Sequence, residues 1–387
     1  MIRNTKVKAM TGGYAMAEAL RQVHPDVMAV YPITPQTPII ETYARMKAGG
    51  EVTTEIVQAE SEHSAMSATV GASASGARAV TATSSQGLLY MTEILPIASG
   101  LRLPIVMCVS SRSLSAPLNI HGEHGDVMVA RNLGWVQIFS QNVQEAYDNV
   151  IISTKLAETM DIPVMPIMDG FHVSHTTERI EVCTDREVRR FIGTRSAKKT
   201  LLNLSDPVTF GPVALQNSYF EFKIDQEKEF ENVKKEYKKI CAEYGKISGR
   251  KYGMFESYRL NDAKYAIVMM GATVGTAKEA IDLLRAKGEK VGLLNMRLYR
   301  PFPYEEVGEE LAHIRKIAVL DRVMSFGAYP PLYQDVVSSM QHAASRKYEI
   351  ASYIYGLGGR DTTQSHIKKV FKDLEEGEIS EKIKYSK

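Results

Sequence analysis

The sequence predicts an α/β protein: a parallel sheet covered by helices in the first half, a charged linking region, and a second α/β unit at the end. Three observations carry that expectation. From Gly12 to about Gly170, short apolar runs alternate with stretches of helical periodicity. Buried parallel strands read as continuous apolar runs, and the helices that connect them cover both faces of the sheet. The alternation stops between Glu181 and Ser257, where Lys and Glu are abundant and Gly and Pro mark turns, and it resumes near Lys264.

In the first unit, strands are expected at 27–30, 52–56, 78–83, 105–109, 135–139 and 164–168, with helices at 15–23, 37–46, 61–74, 87–98 and 143–160. Ligands of such sheets sit beyond the C-terminal strand ends, so the loops at 31–38, 84–86 and 110–126 are the places to look for a site. In the middle region Phe230, Val233, Tyr237, Ile240 and Tyr244 are spaced 3, 4, 3 and 4 apart. That is one apolar stripe on a charged helix, read as a surface helix packed on the body or, alternatively, as a subunit-contact helix. In the last unit, strands are expected at 266–270, 291–296, 317–320 and 350–355, with helices such as 274–286 between them. The Lys- and Glu-rich tail is expected to fray. The domains are therefore placed at 1–185, 186–257 and 258–387.

Composition narrows the function classes. A chain of 387 residues suits two or three domains with large buried cores. Hydrophobic residues make up 44% and charged residues 24%, as in ordinary globular proteins. A net charge of +2 gives no electrostatic reason to expect nucleic acid or a membrane surface as partner. The three cysteines, Cys108, Cys183 and Cys241, are far apart. They suit neither a disulfide framework nor a zinc or iron–sulfur site made by this chain alone, and they fit a reducing cytoplasm. The stretch 1–11 is polar and lacks the apolar core of a signal peptide. No apolar run approaches the roughly 18 residues of a membrane span. A soluble, cytoplasmic protein is expected.

Several motifs can carry chemistry. Tyr31-Pro32-Ile33-Thr34-Pro35-Gln36-Thr37-Pro38 follows a strand and precedes a helix. Its prolines stiffen a loop that can hold the Thr34 hydroxyl and backbone groups in place, or they simply start the helix. Glu60 and Glu62 open a helix rich in small apolar residues, Ala65, Ala68, Val70, Ala72 and Ala74. Carboxylates there can merely favour the helix dipole, or one can be presented into a tightly packed site as a proton-carrying partner. Arg112 follows the strand at 105–109. It is either a surface Arg or a clamp whose two parallel N–H donors fit a carboxylate. His121, Glu123, His124 and Asp126 share one glycine-bearing loop. This partly resembles metal-ligand spacing, but without helical HExxH geometry it reads better as a hydrogen-bonded lid, and no metal ligand is assigned. GxGxxG, Walker A and GxSxG sequences are missing. So is a GDG motif with a following Asn. Gly356-Leu357-Gly358-Gly359-Arg360-Asp361 ends a strand as a packed turn.

Taken together, YPITPQTPIIE (31–41), AESEHSAMSATVGASASGARAVTATSSQGL (59–88), SRSLSAPLNI (111–120) and GLGGRD (356–361) occur in an order that resembles one family. It is the α subunit, or the corresponding N-terminal domains, of the pyruvate:ferredoxin oxidoreductases (pyruvate synthases), within the 2-oxoacid:ferredoxin oxidoreductases. The resemblance implies a pyrimidine-type thiamine-diphosphate-binding domain followed by a transketolase C-terminal-like domain. It implies oxidative decarboxylation of pyruvate with coenzyme A to acetyl-CoA and CO2, with reduction of ferredoxin, in an anaerobic, reversible reaction. It implies a heteromer. A β subunit would hold the diphosphate, Mg2+ and a [4Fe-4S] cluster, a ferredoxin-like δ subunit would hold further clusters, and a γ subunit would complete the complex. That division accounts for the missing GDG and CxxC signatures.

The resemblance also implies roles. Matching the family's glycine to Gly71 places the cofactor-activating carboxylate at Glu62 and not at Glu60, with its hydrogen bond to the pyrimidine ring of thiamine diphosphate. Tyr31, Pro32, Ile33 and Gln86 would line the cofactor. Arg112 would meet the substrate carboxylate, and Thr34 would lie near the oxo group. The chain departs from the common pattern at His121, Glu123 and Gly125, where many members carry Trp, Asp and Ser. That loop borders the substrate region and leaves 2-oxoglutarate, a branched 2-oxoacid or another 2-oxoacid as alternatives. Thr34 stands where an oxalate-specific relative is expected to carry Arg. A rival of another class is a noncatalytic assembly subunit.

Overall fold

The computed structural model describes residues 6–197, 199–343, 348–377, 379 and 382–386. Of the polar N-terminal stretch, residues 1–5 lie outside that range. The chain opens with β1 (Lys6–Thr11), α1 (Gly12–Val23), β2 (Val27–Val30), α2 (Thr37–Ala48), β3 (Glu55–Gln58), α3 (Glu62–Ala74) and β4 (Ala79–Thr83). It continues through α4 (Ser85–Tyr90), α5 (Leu95–Gly100), β5 (Val106–Ser111), α6 (Gly125–Val129), β6 (Val136–Ser140), α7 (Val143–Met160), β7 (Val164–Asp169) and β8 (Thr177–Val182). Next come α8 (Asp185–Ile192), α9 (Tyr219–Ser248), β9 (Phe255–Tyr258), β10 (Tyr265–Met269), α10 (Val274–Arg285), β11 (Val291–Met296), β12 (Leu298–Arg300) and α11 (Tyr304–Leu311). The last elements are β13 (Lys316–Asp321), α12 (Pro331–Ala343), β14 (Glu349–Tyr355), α13 (Gln364–Glu376) and β15 (Lys384–Ser386).

The first sheet has the order β12-β6-β7-β5-β4-β2-β3. Its pairs are parallel except β12, which runs antiparallel to β6. Strands β4, β5, β6 and β7 are buried along their whole length, as apolar runs covered on both faces must be. The second sheet has the order β15-β14-β13-β10-β11-β9 and is parallel except for β9 at its edge. β1 and β8 form a separate antiparallel pair.

Local chemistry starts the helices where they start. Ser61 Oγ accepts from the backbone N–H of Ser64 at the head of α3, and Asn142 Oδ1 accepts from Glu145 N–H at 2.8 Å at the head of α7. Thr184 and Glu187 form a capping box on α8. α9 lays Val233, Tyr237, Ile240 and Tyr244 into the core of the first unit, so its stripe is covered within the chain by the body and not held for a subunit contact.

The structure corrects several sequence expectations. The helix expected at 87–98 is two helices, α4 and α5, because Pro96 begins the second and cannot donate to a preceding turn. The strand expected at 52–56 lies at Glu55–Gln58. The region taken as linker contains β9, which edges the second sheet, and β12 returns to the first sheet from within the second unit. The tail expected to fray ends in β15, which pairs in parallel with β14.

Candidate active site

Three loops meet beyond the C-terminal ends of β2, β4 and β5. After β2, the backbone N–H of Gln36 bonds to Ile33 O at 3.0 Å, and Gln36 Nε2 donates to Tyr31 O at 2.9 Å. The fully buried Gln36 thus ties the proline-rich loop to itself. Tyr31 and Ile33 are half-buried there, and Pro32 and Thr34 are exposed.

Arg112 follows β5 and is only 6% exposed. Its Nη1 donates to Thr34 O at 2.7 Å, and its Nη2 lies 3.3 Å from Gln86 Oε1. Among the described residues no carboxylate forms an ion pair with it, and its Nε is buried without a partner. Burial pulls its pKa down, and the charge of Asp126 offsets part of that effect. The result is a sequestered guanidinium that forms no ion pair among the described residues, the donor set an anionic ligand needs. Because a guanidinium only donates, Gln86 must turn its oxygen toward Arg112, and its amide N–H groups remain available. Thr34 meets Arg112 through its carbonyl, which leaves its side chain facing outward.

Glu62 and Glu60 separate cleanly. Glu60 is exposed, and Ser64 Oγ donates to it at 2.5 Å, a helix-end role. Glu62 is 8% exposed, and no described residue donates to its carboxylate. A Cβ built on Gly87 would fall 2.7 Å from Glu62 Oε1 and 2.6 Å from Thr83 Oγ1. The acid is therefore seated against a turn that only glycine fits, and the buried Thr83 hydroxyl beside it has no partner. Gln86 touches Arg112 and Gly87 touches Glu62, so adjacent residues of one turn join the cation and the acid.

Asp126 belongs to the loop read above as a hydrogen-bonded lid. Its buried carboxylate receives Ser111 Oγ at 2.6 Å, Val127 N–H at 2.8 Å, Ser85 N–H at 2.8 Å and Arg112 N–H at 3.0 Å. It lies in the first turn of α6, a helix within the stretch expected to be loop, and its donors come largely from turns that only the fold brings together. The other polar side chains of that loop part company. His124 Nε2 meets Asp169 Oδ1 at 2.9 Å, Glu123 Oε2 accepts from Gly358 N–H at 3.1 Å, and the His121 ring packs 4.8 Å from Phe171. The loop thus clasps the GLGGRD turn of the second unit. Among the described residues no group of His, Cys, Asp and Glu could hold a metal ion.

With this geometry in view, comparison with known proteins is decisive. A family model described as "Pyruvate flavodoxin/ferredoxin oxidoreductase, thiamine diP-bdg" matches residues 18–241, and "Pyruvate:ferredoxin oxidoreductase core domain II" matches 263–367. The chain belongs to the pyruvate:ferredoxin oxidoreductase family. Within that family it is 49% identical to pyruvate synthase subunit PorA of Thermotoga maritima, over 96% of this chain and 95% of that one. It is 40% identical to ketoisovalerate oxidoreductase subunit VorA of Pyrococcus horikoshii, over 98% and 97%. Among solved structures, 2-oxoglutarate:ferredoxin oxidoreductase from Magnetococcus marinus superposes with a TM-score of 0.74 at 19% identity, covering 96% of this chain and 66% of that longer one. A split-gene transketolase superposes at 0.56 with 11% identity, over 95% and 98%. At these identities both structures speak to the fold, which is the expected thiamine-type α/β domain followed by a transketolase-like α/β domain. No helix among the described residues is long and apolar enough to cross a membrane.

Proposed function

We propose that this chain is the α subunit of a pyruvate:ferredoxin oxidoreductase. The reaction is pyruvate + coenzyme A + two oxidised ferredoxins → acetyl-CoA + CO2 + two reduced ferredoxins + H+. The observation that carries the reading is the convergence of an unpartnered buried acid, Glu62, and an unpaired buried cation, Arg112, on one turn at Gln86–Gly87.

The residues present fit the ring end of thiamine diphosphate. Glu62 offers a buried carboxylate with nothing else bound to it, and Gly87 removes the bulk that would displace it. Tyr31, Pro32, Ile33 and Gln86 would line the cofactor beside it. When bound, the cofactor supplies the carbanion chemistry of decarboxylation. Glu62 holds the proton at the pyrimidine ring nitrogen, which is proton transfer by a positioned group. Arg112 takes the substrate carboxylate, and Thr34 borders the oxo group. Very tight binding of that carboxylate would oppose its departure as neutral CO2. The useful work of Arg112 is therefore to orient the scissile bond. By the family resemblance, the diphosphate, Mg2+ and the [4Fe-4S] clusters fall to a β subunit and a ferredoxin-like δ subunit, with a γ subunit completing a cytoplasmic complex. Coenzyme A and ferredoxin act as co-substrates.

The second reading keeps the reaction and changes the oxoacid. It is favoured by the His121, Glu123 and Gly125 departures and by the 40% identity to a ketoisovalerate enzyme subunit. A panel of 2-oxoacids offered to the reconstituted complex, followed by viologen or ferredoxin reduction, separates the two. The highest kcat/KM is expected on pyruvate. A higher value on 2-oxoisovalerate or 2-oxoglutarate would overturn pyruvate as substrate.

A further inference from the structure

Asp126 is a costly residue to keep. It is fully buried, and no cation forms an ion pair with it among the described residues. Burial pushes its carboxyl up to about 6, even with four donors working against that shift. Such a group is retained only where its acceptors do something that a neutral side chain cannot.

What they do is join the two turns of the site. Oδ2 accepts from Ser85 N–H, which begins the Ser85-Gln86-Gly87 turn after β4, and from Arg112 N–H, just after β5. Oδ1 accepts from Ser111 Oγ and Val127 N–H. Ser85 sits at φ 49°, in the left-handed region that a residue with a Cβ enters at a cost. Two interactions hold it there: the Asp126 bond to its N–H, and its own hydroxyl, 2.5 Å from Ser113 O and 2.6 Å from Gln86 Oε1. One carboxylate therefore sets the conformation that aims Gln86 and the backbone position that aims Arg112. Three backbone N–H groups point at Asp126, which must accept from them, and the single Ser111 hydroxyl proton is shared between Asp126 Oδ1 and Glu123 O. An Asn would turn an N–H2 group toward either the two backbone N–H groups or the Ser111–Val127 side.

We propose that Asp126 is the positioning residue for substrate capture, acting through Arg112 and the Ser85–Gly87 turn without touching substrate. The proposal rests on the reading that Arg112 receives the substrate carboxylate. It predicts a loss that falls on the capture and orientation of pyruvate and spares the proton chemistry at Glu62.

The test is Asp126→Asn in the reconstituted complex, alone and combined with Arg112→Ala. The single variant should lower kcat/KM for pyruvate about tenfold or more, with hydrogen–deuterium exchange at C2 of the bound thiamine within about threefold of wild type, at unchanged thiamine content. The double variant should be no worse in kcat/KM than Arg112→Ala alone, because both changes remove one effect. C2 exchange falling in parallel with kcat/KM, or full additivity with Arg112→Ala, would overturn the proposal. If Asp126→Asn fails to assemble, Ser111→Ala decides. It removes the hydroxyl and leaves the acid, so a smaller fall in kcat/KM with C2 exchange held supports the proposal, and wild-type kcat/KM refutes it. Should Arg112→Ala itself leave kcat/KM unchanged, the reading of Arg112 fails independently of Asp126.

Discussion

At the scale of residues, the choice between Glu60 and Glu62 shows what a sequence carries and what it withholds. Two carboxylates at one helix start are equivalent by propensity, and only the resemblance to a family separated them. Packing now gives a physical reason: Glu60 faces water and bonds its own helix, whereas Glu62 is enclosed against Gly87. Gly87 is thus a site residue that the motif run contained without explaining. Replacing it by Ala puts a methyl group 2.6 Å from Thr83 Oγ1, 2.7 Å from Glu62 Oε1 and 2.9 Å from Glu62 Cγ. The buried Thr83 side chain has little room to shift, so Glu62 gives way and the acid moves. Turnover of Gly87→Ala should fall about tenfold to a hundredfold, as small misplacements of catalytic groups do, with the thermal midpoint within a few degrees of wild type. Full turnover would mean that the Glu62 position is unimportant. Asp126 was illegible for another reason: three of its four donors are backbone N–H groups, which have no signature in side-chain identity.

At the scale of elements, legibility followed burial. Strands β4 through β7 were readable because both faces are covered and the runs are apolar throughout. β1 is half exposed, β12 has three residues and β15 ends a charged tail. None carries enough apolar pattern to announce a strand, and tertiary pairing makes them. One helix start shows a device that the sequence also hid. Asp321, at the end of β13, accepts from Leu332 N–H at 2.9 Å and Tyr333 N–H at 3.1 Å and so caps α12 from a distance. Burial pushes its carboxyl up to about 7, above the roughly 4 of an unfolded chain. The native state therefore holds a proton that the unfolded state releases. The stability linked to this group is full below about pH 4 and is lost as pH rises through about 7. In Asp321→Asn that dependence should vanish. The thermal midpoint of the wild-type chain should fall relative to the variant between pH 4 and 8, and a difference that stays constant with pH would contradict the assignment.

At the scale of the whole molecule, the second unit braces the loops of the first. Arg322 Nη1 reaches Asp169 Oδ2 at 2.7 Å and its Nε reaches Gly356 O at 3.0 Å, while His124 holds the other Asp169 oxygen. Burial alone would raise the Asp169 carboxyl, but His124 and Arg322 more than offset it and hold it well below the usual range. Arg297 adds a second lock, at 2.7 Å from Glu145 Oε1 and 2.9 Å from Glu256 Oε2. Two α/β units were readable from the alternation of apolar runs. Their interlocking was not, since it depends on β12 crossing back to the first sheet and on single charged residues meeting across the junction. The folded chain presents an acid and a cation at one turn. The proposed division of labour is tested most directly by Glu62→Gln in the reconstituted complex, reading hydrogen–deuterium exchange at the thiazolium C2 of bound thiamine together with pyruvate-dependent viologen reduction. Both rates should fall about a hundredfold or more, with subunit assembly and thiamine content unchanged; exchange and turnover at wild-type rates would contradict the account.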